Sequence, residues 1–319
     1  MKIVVADSNL VPHRNRFEGS LPPGSVVVWH EAPDDLRDAD VYVGSRFTTS
    51  MAAAADKLRL VHVAGAGTDK IAFDALKPNV LVANTFHHED SIAEYVLAAA
   101  VMLRRDFLKQ DRALRDGRWA TSVYDGSIPQ PRSLQGARVG FVGFGHIGRR
   151  SWQLLRVLGA VGAAVTGSGH LDAAAAGLAW AADTAHLDRL MAESEVVVVS
   201  APLTERTVGM IGTLQLRALG PQGVLINVGR GALVVESALY EALSERDIAG
   251  AAIDVWYHYP DANGRGTPSA LPFAELTNVL MTPHSSGVTE NTFTGRADDI
   301  AANIGRLQRG EPLKNLVAR

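Results

Sequence analysis

Three groups of residues in this 319-residue chain have types and spacings that suit chemistry. The first is Gly143-Phe-Gly145-His146-Ile147-Gly148, which follows the apolar run Arg138–Val142 and opens a stretch of helical spacing. A turn of this kind presents backbone N–H groups and the positive end of a helix dipole to a phosphate. Its first glycine permits the tight turn, its second lets a pyrophosphate approach, and its third lets helix and strand pack closely. The glycine spacing alone is weak, but the flanking strand and helix, with another strand about 20 residues on, make a dinucleotide the ligand it suits. The second group is Arg230 between Gly229 and Gly231. A guanidinium keeps its charge and offers a planar fork of donors, fit for holding a carboxylate or polarising a carbonyl, and small neighbours allow a ligand close. The third is His284 behind Pro283, an imidazole able to give or take a proton near neutral pH. Taken singly, an arginine in a turn is ordinarily solvated, and any one of ten histidines is ordinarily structural.

The elements that must position these groups are legible as apolar, β-branched runs alternating with alanine- and leucine-rich stretches. One set of strands is expected at Ile3–Val5, Val26–Trp29, Val41–Val43, Leu60–Val63 and Val80–Val82. A second is expected at Arg138–Val142, Ala163–Thr166, Val196–Ser200, Val224–Val228, Ala251–Asp254 and Val279–Met281. Runs apolar at nearly every position suit strands covered on both faces, as in parallel sheets with helical crossovers. The class is therefore α/β with two sheets. One long helix, Ser91 to Arg115, stands between the sets, a proline- and glycine-bearing loop follows it, and a last helix spans Thr289 to Gln308. The alanine clusters at 52–55 and 173–176 favour helix.

Length and composition fit two globular domains: 47% hydrophobic and 20% charged residues, with a formal net charge of -3. That charge gives no reason to expect nucleic acid or an anionic membrane as partner. The absence of cysteine excludes disulfides, thiolate metal sites and cysteine nucleophiles, and fits the cytoplasm. The start, MKIVVADSNL, reaches Asp7 too soon for a secretory signal, and the apolar segment Ile92 to Leu103 carries Glu94 and is too short for a membrane helix. A soluble protein is expected.

The ribose-binding position is unusual. Dinucleotide-binding units that prefer NAD carry an acidic residue near the end of the second strand. Here that stretch reads Val165-Thr-Gly-Ser168-Gly169-His170, with Gly169 at the expected acidic position. Nothing there repels a 2′-phosphate, and Ser168 and His170 could bond one, which favours NADP over NAD. Asp172 keeps NAD open if its loop curls back.

Four further segments complete a pattern: Ala201-Pro202-Leu-Thr-Glu-Arg-Thr207, Asn227-Val228-Gly-Arg230-Gly231, Asp254-Val-Trp-Tyr-His-Tyr259, and Thr282-Pro-His284-Ser-Ser-Gly. In this order, after this glycine turn, they resemble the D-isomer-specific 2-hydroxyacid dehydrogenases from about Leu60 to the C-terminus. The resemblance implies two Rossmann-like lobes, with a parallel-sheet dinucleotide-binding domain at 90–283 inserted into a smaller flavodoxin-like substrate domain at 1–89 and 284–319. It implies hydride exchange between NAD(P)H and a small 2-oxo or 2-hydroxy acid, and a homodimer built on the long helix. It makes Arg230 the group that holds the acid and polarises its carbonyl, and His284 the acid–base. Asp254 then binds the nicotinamide carboxamide, while Pro202, Thr207 and Val228 line the cofactor. Ala64-Gly-Ala66-Gly67-Thr-Asp69 becomes a loop whose backbone N–H groups take the substrate carboxylate.

The sequence departs from the family where most members carry a glutamate paired with the catalytic histidine; here the residue is Tyr259. A carboxylate raises a neighbouring imidazole pKa, and a neutral phenol does not do so comparably. His284 is therefore expected to be less basic than in glutamate-bearing relatives, favouring oxidation at lower pH and weakening reduction at high pH. Formate dehydrogenases also lack the glutamate, but His88 stands where their formate-binding asparagine is expected. Arg46, past the third strand, is a candidate for a second anionic group on the substrate. The adjacent His87 and His88 repeat no metal-ligand spacing, so no metal is expected. The alternative in another class is a dinucleotide-sensing regulator on the same scaffold, without turnover.

Overall fold

A computed structural model describes residues 1–29, 36–261 and 263–318. The chain divides into two compact units, Met1–His88 with Val288–Arg319, and Glu89–Gly287.

The first unit is built on five parallel strands, β1 (Lys2–Val5), β2 (Val26–Trp29), β3 (Val41–Val43), β4 (Leu60–His62) and β5 (Leu81–Ala83), ordered β2-β1-β3-β4-β5. One face packs on the C-terminal helix Glu290–Arg309 through Phe293, Ala297, Ile300, Ala301 and Ile304. Thr289 caps that helix by accepting from the Thr292 N–H, and Gly310 ends it in a left-handed conformation (φ +70°). The chain then returns to the edge of β5, where Val317 N–H donates to Val82 O and Asn84 N–H to Asn315 O. That return covers an edge which would otherwise present unpaired backbone groups.

The second unit holds seven parallel strands: β6 (Arg138–Val142), β7 (Val161–Thr166), β8 (Trp180–Asp183), β9 (Val196–Val199), β10 (Val224–Asn227), β11 (Gly250–Ile253) and β12 (Val279–Met281). Their order is β12-β11-β10-β9-β6-β7-β8. The chain leaves β6 towards β7 and β8 and then crosses to β9 on its other side, so a topological switch falls between β6 and β9, where such sheets open a crevice at their carboxyl ends. β9 is four valines, all fully buried, as a strand covered on both faces should be.

Three expectations need correction. The helix read as continuous from Ser91 to Arg115 is two, Glu89–Arg104 and Phe107–Arg115, because Asp106 adopts φ +56° between them. The first buries an apolar face, while in the second only Ala113 is buried, so packing does not carry a single helix through. β8 was not foreseen: Trp-Ala-Ala-Asp lacks the β-branched signal and becomes a strand by pairing at the sheet edge with β7. Finally, His284 falls in the second unit rather than the first, since the turn that carries it is bonded to Asp254 at the end of β11.

Candidate active site

Each glycine of the turn after β6 has a distinct steric reason. Gly143 sits at φ +87°, and a Cβ there would lie 2.6 Å from Ala201 N on the loop after β9. A Cβ on Gly148 would lie 2.8 Å from Gly143 O, so the helix can meet the strand only without one. Gly145 faces open space, with no atom within 4 Å of a Cβ built on it. It is also the N-cap of the helix His146–Val157 and provides no side-chain cap to the first turn of that helix. Gly143 and Gly145 line a groove of about 950 Å³ over the carboxyl ends of β6, β7 and β9. Its size, bare glycine and helix terminus without a side-chain cap fit a dinucleotide.

Ser168, His170, Asp172, Pro202 and Thr207 line this groove, and Thr207 Oγ1 donates to Pro202 O at 2.8 Å to fix the turn after β9. Gly169 does not line it. β7 ends at Thr166, which does, and Gly169 N–H donates to Thr166 Oγ1 at 3.1 Å. The strand-end side chain facing the groove is thus a threonine. Asp172 uses its carboxylate to cap the short helix Ala173–Ala176, accepting from Ala175 N–H. Val228 is buried in the core under the sheet and lines no part of the groove. Arg149 lines the groove, whereas Arg150 pairs with Asp90. Arg206 also lines it and was not singled out from the sequence, although it lies in the segment between Pro202 and Thr207.

β10, β11 and β12 are neighbours, so Arg230, Asp254 and His284 follow their carboxyl ends along one edge. The Arg230 turn is tied down by Asn227, which is buried; its Nδ2 donates to Arg230 O and its Oδ1 accepts from Gly229 N–H. The glycines beside Arg230 serve protein packing. A Cβ on Gly231 would meet Trp256 O at 2.6 Å, and one on Gly229 would meet Leu233 Cδ1 at 2.8 Å. Arg230 itself donates from one guanidinium nitrogen to Gly229 O at 2.8 Å.

His284 has φ +56°, a conformation a non-glycine residue holds only when its surroundings enforce it. Asp254 supplies that enforcement. Its carboxylate, 1% exposed, accepts from Thr282 Oγ1 (2.7 Å), Ser285 N (2.9 Å), Ser286 N and Ser286 Oγ, which bracket His284 on both sides. Trp256 Nε1 adds a bond to Thr282 O at 2.8 Å. Tyr95 Oη lies 3.0 Å from Thr282 Oγ1, and its pKa is pushed up to about 12, by burial first and by the charge of Asp254 in addition. On the imidazole, Nδ1 is 3.0 Å from the Tyr259 hydroxyl, and the two rings are tilted against each other 5.6 Å apart. Tyr259 and His284 share the wall of a cavity of about 290 Å³ with Trp256, Met281 and Thr282.

The model of the D-isomer specific 2-hydroxyacid dehydrogenase NAD binding domain matches residues 97–286, more than half of the chain. The chain belongs to this family. A glyoxylate reductase from Korarchaeum cryptofilum is 31% identical over 94% of this chain and 88% of its own length. A D-3-phosphoglycerate dehydrogenase from Methanocaldococcus jannaschii is 28% identical, and the chain spans 55% of that longer protein. Among solved structures, a D-isomer specific 2-hydroxyacid dehydrogenase from Xanthobacter autotrophicus Py2, in complex with NADPH and MES, superposes with a TM-score of 0.81 at 27% identity, covering 99% of this chain and 98% of that one. As a member of the family, this chain is an NAD(P)-dependent hydroxyacid oxidoreductase, as its motifs imply.

The remaining expected residues of this family member lie in the first unit. Arg46 is exposed, and its carbonyl accepts from the Tyr42 hydroxyl at 2.8 Å. Ala66 and Gly67 follow β4 in a turn whose carbonyls are held by the two residues just after β5: Gly65 O accepts from Thr85 N–H and Ala66 O from Asn84 Nδ2. His88 is buried and stacks on Phe86. Among the described residues no helix is long and apolar enough to cross a membrane.

Proposed function

We propose that this family member reduces a small 2-oxo acid with NADPH and catalyses the reverse oxidation of the D-2-hydroxy acid. In this reading the second unit holds the dinucleotide and the first supplies the substrate lobe. The observation that carries it is the Asp254 carboxylate fastening a strained, histidine-bearing turn at the same sheet edge as Arg230. When bound, the nicotinamide supplies the hydride. Arg230 holds the carboxylate and polarises the carbonyl of the acid, favouring negative charge on its oxygen. His284, engaged at Nδ1 by Tyr259, gives the proton to that oxygen from Nε2. The backbone N–H groups of Ala66 and Gly67 orient the carboxylate. Asp254 holds the imidazole in place and takes the nicotinamide carboxamide as its second partner.

NADP is favoured because β7 ends in Thr166 and because Ser168 and His170, which follow that strand, line the groove together with Arg206. A carboxylate at the strand end would repel a 2′-phosphate, and a guanidinium attracts one. We further propose a homodimer in the cytoplasm. Trp119, Val123 and Tyr124 are 62%, 77% and 68% exposed on the loop after the helix Phe107–Arg115, an apolar surface that a second copy would cover. Sedimentation equilibrium reads that stoichiometry.

The test is a panel of glyoxylate, hydroxypyruvate and phenylpyruvate with NADPH and with NADH, with Arg230→Ala as the blank. At least one acid is expected to turn over, faster with NADPH. Arg230→Ala should lose about 10²–10³-fold in kcat, the scale for removing a charge-stabilising donor. Tight NADPH binding without turnover of any acid overturns the reductase reading and favours a dinucleotide-sensing regulator.

A further inference from the structure

The amino ends of the second unit's strands carry a cluster of arginines that no motif announces. β6 starts at Arg138, and Glu195 stands just before β9, its N–H donating to Arg138 O at 2.8 Å. The Glu195 carboxylate accepts from Arg138 N–H and from a terminal nitrogen of Arg132, both at 3.1 Å. Terminal nitrogens of Arg104 and Arg138 lie 3.6 Å from it. One carboxylate thus meets three guanidinium groups, and positive charge is left over. Arg104 and Arg132, with Arg105 beside them, line a cavity of about 250 Å³. Among the described residues no acidic one lines it, Glu195 included, and Val101, Leu134 and Leu158 give it an apolar side.

Arg104 is the unusual member. It ends the helix Glu89–Arg104, and its side chain is only 6% exposed. One terminal nitrogen donates to Ser133 O at 3.1 Å, but Nε–H is buried and among the described residues has no acceptor. A buried charged donor without an acceptor is a cost the fold carries, and an oxyanion seated against the guanidinium relieves it. A side chain already held by burial also loses little rotamer freedom on binding, and its planar fork matches a carboxylate. The cavity is separate from the dinucleotide groove. It lies at the entry to β6, beside Leu134, whereas the groove starts at Val142 where that strand ends. At about 3.3 Å per residue the two ends of β6 are about 13 Å apart.

We infer that this cavity is a second, non-catalytic anion site, which binds a short organic dianion such as a four-carbon dicarboxylate. The guanidinium groups of Arg104, Arg105 and Arg132 take the two charged ends, and the apolar side takes the carbon chain between them. Two charges suit the site better than one, because Glu195 offsets only part of the cluster. The site is independent of the reaction at Arg230 and His284, and its ligand binds whether or not an acid turns over.

The test is calorimetric titration of succinate into the whole chain, carried out on Arg230→Ala so that the catalytic arginine takes no part. Saturable binding is expected, weakening as sodium chloride is raised. Arg104→Met on that background should weaken it by about 10- to 100-fold, the range for losing a charged hydrogen-bond partner. Arg104 also bonds Ser133 O, so a second pair of variants keeps every arginine of the cluster. Leu158 is 43% exposed on the cavity wall, where a polar side chain is tolerated. Leu158→Glu sets a carboxylate in the site and should bind succinate about tenfold more weakly than Leu158→Gln, which has the same shape without the charge. Absence of saturable binding overturns the proposal. So does equal succinate affinity in Leu158→Glu and Leu158→Gln, or a folded Arg104→Met that binds as tightly as its parent. If Arg104→Met does not fold, the Leu158 pair decides.

Discussion

Each unit buries a polar cluster, and the two clusters do different work. In the second unit the buried Asp254 gathers donors from one short turn and thereby sets His284 at a sheet edge. In the first, His62 and Asn303 lie in the core, 0% and 1% exposed, and fasten the end of the chain. Asn303 Nδ2 donates to His62 Nε2 at 3.0 Å and to Lys314 O, while its Oδ1 accepts from Lys314 N–H; His62 Nδ1 then donates to Val63 O. One cluster positions chemistry and the other holds the fold together. Breaking each should therefore show in different measurements.

The largest effect is expected at Asp254. Asp254→Ala takes the acceptor away from two backbone N–H groups and two hydroxyls, those of Ser286 being buried, and removes what holds His284 at φ +56°. Loss of about 10²-fold or more in kcat is expected, since a displacement of about 1 Å at a reacting group costs that much. Unfolding in urea should show a loss of about 2–4 kcal/mol, on the scale of leaving buried donors unsatisfied. Retention of kcat within threefold would break the contrast between the clusters. A loss confined to NADPH affinity would instead make the nicotinamide the main partner of Asp254.

The first-unit cluster should report through pH. Burial holds His62 neutral, with its pKa pushed down to about 4 from an ordinary 6.5. Below pH 6.5 the unfolded chain takes up a proton that the folded chain refuses, so this contribution to stability is complete above that pH and falls away as pH drops towards 4. Between pH 7 and pH 5 the loss comes to about 2 kcal/mol. His62→Gln should unfold with a shallower dependence on pH over that window, with kcat at pH 7 unaffected beyond any loss of folded protein. Equal slopes for the two proteins would show that His62 does not carry the acid sensitivity.

The same contrast explains what could be read from the sequence. The second unit announces itself because its chemistry is local: glycines two and three residues apart, an arginine between glycines and a histidine after a proline each sit in one short segment. Eleven strands were legible for a similar reason, their apolar runs being continuous, while β8 depends on pairing at an edge and left no such signal. The break at Asp106 was hidden because helix propensity runs on through Arg105-Asp106; packing stops there. The His62–Asn303 pair was invisible because its two members lie 241 residues apart in the chain. Gly169 was misplaced by register, since a strand's last residue depends on where the ladder with β8 ends.

The smallest change, and the one that most sharpens the comparison, is at Tyr259. Its hydroxyl meets His284 Nδ1 at 3.0 Å, where a phenol can donate to the neutral ring or accept from the protonated one. It therefore steadies both forms of the imidazole and favours neither as a carboxylate would. Tyr259→Phe removes that bond while leaving the ring contact, and kcat should fall by only about 3- to 10-fold, near the worth of one neutral hydrogen bond. Tyr259→Glu puts a negative charge beside the imidazole and stabilises its protonated form. Reduction consumes that proton, so the high-pH limb of the reductive rate profile should move up by about one pH unit, with the low-pH limb of the oxidation moving the same way. A limb that stays in place in Tyr259→Glu, while Arg230→Ala still abolishes turnover, would mean that some group other than His284 sets the pH dependence.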